Sequence, residues 1–172
     1  MTYSASDYLL DRANIQDTIV RMAWSADRKD WDTTAAQFAD ELVMDYTSMF
    51  GGEPVTTTPR NQAEVWKGML EYMDGLTHAT TNLLVDLPQP STSAEHPTEA
   101  SATCNILVTL RRDAAHGDPI QQSGGIWSFK LSKSASANGG NPWRIEYMKA
   151  DAAWMKGNAD VTKNPKTGKG WL

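Results

Sequence analysis

The sequence predicts an α+β fold: a strongly curved, mostly antiparallel sheet with about three helices packed on its concave side. Three observations carry this. Helical periodicity is gathered in the first 73 residues, and the long β-rich segments come after it. Those segments are separated by turn-forming stretches short enough to join antiparallel neighbours. No composition shift or internal repeat divides the 172 residues, a length that suits one domain with one core.

The elements follow in order. Ser4 or Ser6 can cap a first helix in which Leu9, Leu10, Ala13, Ile15, Ile19, Val20, Ala23 and Trp24 recur at helical spacing. A second short helix follows, with Asp30 or Asp32 as N-cap and Ala35, Ala36 and Phe38 on its apolar side. Leu42 to Phe50 alternates as a strand that places Met44, Tyr46, Ser48 and Phe50 on one face. Gly51-Gly52 is a hairpin signal, and Glu53 to Thr58 pairs back. Asn61 opens a third helix with Val65, Trp66, Met69, Leu70 and Met73 as its buried stripe, and Gly75 ends it. Thr77 to Leu87 is the central strand. Residues 88–98 form a Pro-rich loop, and strands follow at Glu99 to Arg112, Ile120 to Ser132 and Trp143 to Ala152. Ser134 to Asn141 is a low-complexity loop. The domain is expected over 1–160, with a flexible basic tail over 161–172.

Composition narrows the function. The net charge of -5 argues against a nucleic-acid partner, which calls for a basic surface. No apolar run is long enough to span a membrane, and the first residues lack the features of a signal peptide. The single cysteine, Cys104, has no intrachain disulfide partner, so a reducing, cytoplasmic setting is expected. The three histidines are scattered without metal-ligand spacing, and no glycine-rich phosphate loop or G-x-S-x-G is present. The expectation is a small-molecule substrate handled without metal or cofactor. Seven tryptophans and eight methionines supply bulky, adaptable groups for a cavity wall as well as a core.

Two polar positions stand out. On the central strand, alternation places His78, Thr80, Asn82 and Leu84 on one face. On the first helix, Ile15, Ile19, Ala23 and Asp27 share an i, i+4 row, so Asp27 either points into a cavity or marks where the helix leaves the core. The expectation is that Asp27 and His78 meet in one cavity.

The motifs Ala26-Asp27-Arg28-Lys29-Asp30-Trp31-Asp32, Asp45-Tyr46, His78 and Lys149-Ala150-Asp151-Ala152-Ala153-Trp154, in this order, resemble the NTF2-like superfamily, specifically its SnoaL-like and scytalone dehydratase-like branch. The resemblance runs from about Ile15 to Trp154. It implies a cone-shaped fold holding an Asp27–His78 pair, with Tyr46 as a substrate-side tyrosine and Ser123 as a substrate-side serine. It departs from the branch at Ala26, where a tyrosine is expected, at Leu110 for a second histidine, and at Gly125 for an asparagine. The acid/base pair is kept while the substrate-binding set is changed.

The function expected is a cofactor-independent dehydratase or cyclase/isomerase acting on a polycyclic or aromatic ketone, in secondary metabolism. Asp27, His78 and Tyr46 are its catalytic candidates. Trp24, Met44, Phe50, Met69, Asn82, Ser123, Trp127 and Arg144 are its substrate-binding candidates. A histidine both accepts and returns protons near neutrality, which α-proton removal and hydroxyl departure require. The alternatives are a non-catalytic binding module, and an accessory subunit resembling the β-subunit of ring-hydroxylating dioxygenases. By resemblance the chain forms a homo-oligomer, a trimer before a dimer.

Overall fold

A computed structural model describes residues 2–91, 95–135 and 140–170. The loop assignments at 92–94 and 136–139 lie outside the described residues. A curved, open sheet of six strands runs in the order β2-β1-β6-β5-β4-β3. Its strands are β1 (Phe38–Asp45), β2 (Val55–Thr57), β3 (Gly75–Asp86), β4 (Glu99–Arg111), β5 (Ile120–Lys133) and β6 (Trp143–Gly157). Every pairing is antiparallel except β1 with β6, which joins the first strand to the last in parallel. Helices α1 (Ala5–Asp27), α2 (Trp31–Ala35), α3 (Thr47–Phe50) and α4 (Pro59–Leu70) complete the α+β architecture.

Local chemistry sets the helix ends. Ser4 caps α1 through a capping box with Asp7: its hydroxyl accepts from the Asp7 amide, and the Asp7 carboxylate accepts from the Ser4 amide at 2.9 Å. Thr58 caps α4, and Pro59 fills its first turn, where the missing N–H costs nothing. Asp30 caps α2 by accepting from the Thr33 amide. The C-terminal half of α1 buries Ile15, Ile19, Met22, Ala23 and Ala26, and leaves Val20 and Trp24 in solvent.

Four expectations about elements need correction. The strand proposed over Leu42 to Phe50 stops at Asp45. The Asp45 carboxylate accepts from the Thr47 amide at 3.0 Å and the Thr47 hydroxyl at 2.7 Å, which starts the helical turn α3. Phe38 belongs to β1 rather than to α2, and Gly75 begins β3 rather than ending α4, which stops at Leu70. The common face proposed for His78, Thr80, Asn82 and Leu84 breaks at Asn82. Thr81 pairs with Asn105 and Leu84 with Thr103, so two residues of β3 oppose one of β4. Asn82 takes the left-handed φ of 53° that this bulge requires, and bonds the Asn105 side chain on the exposed surface. Beyond it the alternation inverts: Leu84 is exposed and Val85 is buried.

The inner face of the sheet is built in rows. His78, Val108, Ser123 and Met155 form one row across four strands; Leu76, Leu110, Gln121 and Gly157 form the next. Helices α1 and α4 lie against the sheet, α1 on β3 and β6 and α4 on β1. A buried cluster fixes the start of α1. Asp11 accepts from Trp143 Nε1 at 2.8 Å and from Lys133 Nζ at 3.0 Å, and Thr18 bonds the Trp143 carbonyl. Packing continues past residue 160: Val161 is fully buried and Arg112 donates to the Lys163 carbonyl. Residues 161–163 therefore sit against the body instead of beginning the tail proposed at 161. No helix among the described residues is long and apolar enough to cross a membrane.

This closing segment gives an acid-stability prediction. Lys163 Nζ, the His116 amide and Arg112 Nη2 surround the Asp160 carboxylate at 2.8, 2.8 and 3.2 Å, and hold its pKa down to about 2. A carboxyl depressed in the folded state contributes stability above its unfolded value of about 3.9, and loses it as pH falls toward 2. Asp160→Asn is expected to lower Tm at pH 5 and above. The gap to wild type should close between about pH 4 and pH 2. Thermal unfolding across that range checks it, and a gap that widens with acid would refute it.

Candidate active site

Asp27 stands in the last turn of α1, and several contacts hold that turn in place. Ser25 Oγ shares a 2.8 Å hydrogen bond with Thr34 of α2. Lys29 adopts a left-handed φ of 59°, and its Nζ donates to the carbonyls of Glu71 and Met73 just beyond α4. The Asp27 carboxylate is thereby aimed at β3. Oδ2 accepts from the His78 backbone amide at 2.8 Å, and Oδ1 lies 2.5 Å from His78 Nδ1. Because β3 is an edge strand, one carboxylate covers a free edge N–H and orients a side chain together.

This arrangement fixes the proton on the ring. Both carboxylate oxygens act as acceptors, so Nδ1 carries the hydrogen and neutral His78 presents Nε2 as a lone pair. Both side chains are largely buried, at 12% exposure for His78 and 16% for Asp27. Trp127 lies against the imidazole with ring centroids 5.5 Å apart.

His78 lines a cavity of about 130 Å³. Its wall is mainly apolar, including Met22, Trp66, Met69, Ile106, Leu110 and Trp127. Tyr46 also reaches it. The Tyr46 hydroxyl accepts from Trp66 Nε1 at 2.9 Å, which occupies one oxygen lone pair and leaves the O–H to donate. Burial pushes the Tyr46 pKa well above its usual value, so it remains a donor at neutral pH. Cys104 is buried, and burial raises its thiol to about 11, which keeps it un-ionised.

Of the residues proposed from sequence, the fold brings His78, Tyr46, Phe50, Met69, Ser123 and Trp127 together around this cavity, with Asp27 behind His78. Four substrate-binding candidates fall elsewhere. Trp24 is 57% exposed under the Arg28 guanidinium, because the stripe of α1 that turns inward runs through Ala23 and Ala26. Asn82 is carried outward by its bulge. Met44 is buried in the core and lines an adjoining hollow beside Tyr46, Phe50 and Met69, not this cavity. Arg144 sits at the far end of β6, donating to the carbonyls of Asn141 and Trp143, whereas β6 reaches the cavity at Ala150–Ala152 and Met155.

Ala26, Leu110 and Gly125, the three departures from the branch pattern, all line the cavity. At Gly125 a side chain is sterically barred: an added Cβ would lie 1.9 Å from the Asp151 carbonyl oxygen. The cause is a bulge in β6, where Gly124 pairs with Trp154 and Gly125 with Ala152, leaving Ala153 unpaired. Sequence reasoning missed Met22, Trp66, Ile106 and Gln121 on the wall. Gln121 was within reach, since it shares the inner face of β5 with the two proposed residues Ser123 and Trp127.

A SnoaL-like domain model matches residues 7–149. The Kfla4162 protein of Kribbella flavida superposes with a TM-score of 0.75 at 20% identity, over 87% of this chain and 95% of that one. A scytalone dehydratase-like protein from Novosphingobium aromaticivorans DSM 12444 gives 0.69 at 16%, over 89% and 91%. The hexachlorocyclohexane dehydrochlorinase LinA-type3 of Novosphingobium barchaimii LL02 gives 0.70 at 13%, over 91% and 95%. At these identities the superpositions speak for the fold, and the domain match speaks for the family. The chain belongs to the SnoaL-like domain family of the NTF2-like superfamily.

Proposed function

We propose that this protein is a cofactor-independent acid/base enzyme, a dehydratase or cyclase/isomerase, acting on an aromatic ketone. The observation that carries the reading is the Asp27–His78 pair, ordered as a base and facing an apolar cavity. His78 Nε2 removes a proton α to the substrate carbonyl, and Asp27 stabilises the imidazolium that forms. The Tyr46 O–H donates to the carbonyl oxygen as negative charge gathers there. In a dehydration, the enolate re-forms the carbonyl as a β-hydroxyl leaves, and His78 returns its proton to that hydroxyl to release water. In an isomerisation the same proton returns to a different carbon.

The names of two structural neighbours support this direction. Dehydratase and dehydrochlorinase both describe eliminations. Cavity size refines the substrate. About 130 Å³ is close to the roughly 150 Å³ cavity that holds a benzene ring, which favours one ring over a polycycle.

Hydrogen exchange tests the first step without the native substrate. In D₂O, the wild type is expected to speed deuterium incorporation into the methyl group of 4-hydroxyacetophenone, read by proton NMR, and His78→Ala to lose that acceleration. Equal rates with and without wild-type protein would favour a binding module, which holds a ligand unchanged. For assembly, we propose a homotrimer joined through the outer sheet face, where Leu107 and Ile126 are exposed. Light scattering at the monomer mass would reject it.

A further inference from the structure

Gln121 is a buried polar group on the cavity wall that the proton-transfer chemistry leaves unused. It is 7% exposed and lines the same cavity as His78. Its Oε1 is buried with no hydrogen-bond partner among the described residues. A carboxamide oxygen only accepts, so this atom calls for a donor. Its ladder neighbours on either side, Leu110 and Gly157, offer no side-chain donor. Native folds rarely leave such an acceptor unpaired, and of the four buried unpaired side-chain atoms among the described residues this is the one whose residue lines the cavity.

Position says where on a ligand the donor must be. Gln121 lies two strands from His78 and one inward-facing position along. Ladder spacings put the two Cα atoms about 12 Å apart. Both side chains rise from the same inner face, and one para-substituted ring with a hydrogen-bond contact at each end is on the order of that span. The cavity volume of about 130 Å³ accommodates a ligand of about that size.

Resting on the acid/base reading above, we propose that the substrate is a single-ring aromatic ketone with a hydroxyl at the end remote from the ketone, and that Gln121 Oε1 accepts that hydroxyl's hydrogen bond. Gln121 is then a specificity residue. A ligand that fills the same space without a donor leaves the buried oxygen unpaired and is rejected on that account.

Calorimetric titration with 4-hydroxyacetophenone and 4-fluoroacetophenone tests this, at mildly acidic pH where the phenol keeps its proton. The wild type is expected to bind the hydroxyl compound about tenfold or more tightly than the fluoro compound. Gln121→Leu is expected to lose the preference through weaker binding of the hydroxyl compound alone. Equal affinity in the wild type, binding of neither compound, or a preference that survives in a folded Gln121→Leu would each overturn the proposal. The wild-type comparison decides even where the variant fails to fold. Titration reads binding and not turnover. A tenfold preference without α-proton exchange would keep the Gln121 contact and reject the catalytic reading, and exchange without a preference would do the reverse.

Discussion

Asp27→Asn is expected to slow α-proton exchange of 4-hydroxyacetophenone by about 10²–10⁴-fold while leaving the fold intact. The substitution is nearly isosteric. The Asn oxygen still accepts from the His78 backbone amide, taking over the 2.8 Å contact that Asp27 Oδ2 makes. The Asn nitrogen, however, donates toward His78 Nδ1, where the carboxylate accepted. Neutral imidazole carries one hydrogen, so it moves to Nε2 and the lone pair facing the cavity is lost. The variant should keep the wild-type circular dichroism spectrum, which separates a tautomer effect from unfolding. Because the two residues act as one unit, the double variant Asp27→Asn/His78→Ala should be no slower than His78→Ala alone. An Asp27→Asn rate within twofold of wild type would remove Asp27 from the chemistry.

Gly125→Ala is expected to destabilise the protein by about 3 kcal/mol or more, lowering Tm by roughly 6–12 °C for a chain of this size. The added Cβ meets main chain: the Asp151 carbonyl oxygen at 1.9 Å and the Ala152 Cα at 3.0 Å. Neither can move without dissolving the β5–β6 pairing around the bulge. The adjacent Gly124 supplies the control. A Cβ there meets the Trp154 ring at 2.6 Å, but that side chain is 44% exposed and free to swing outward. Gly124→Ala should therefore cost about 1 kcal/mol or less. Thermal unfolding of the two variants side by side gives the answer. Comparable Tm values would show that β6 yields at the bulge.

Gly125 stands where the resemblance implies an asparagine. An asparagine at that position needs room for a side chain, which the Asp151 carbonyl takes up here. Leu110 and Ala26, where the resemblance implies a histidine and a tyrosine, also stand on the wall. The Asp27–His78 contact faces this altered wall, and Gln121 is a buried acceptor one inward-facing position from Ser123 on β5.

Much of this was settled by sequence alone, because it depends on residues near one another in the chain. The α+β order, the capping of α1, the glycine turn before β2 and the placing of His78 on an inward-facing strand position all follow from local periodicity and turn chemistry. The meeting of Asp27 with His78 was expected, but their spacing left Asp27 free to face either way. The choice was made by distant contacts, with α2, the end of α4 and the edge of β3 holding the last turn of α1. Bulges decided the rest. One extra residue at Asn82 and another at Ala153 invert or shift the alternation that a strand pattern assumes. They send Leu84 to solvent and press a carbonyl onto Gly125. A bulge exists only between two paired strands, so the pattern along one strand does not display it, and the cavity wall took its final shape only when the strands paired.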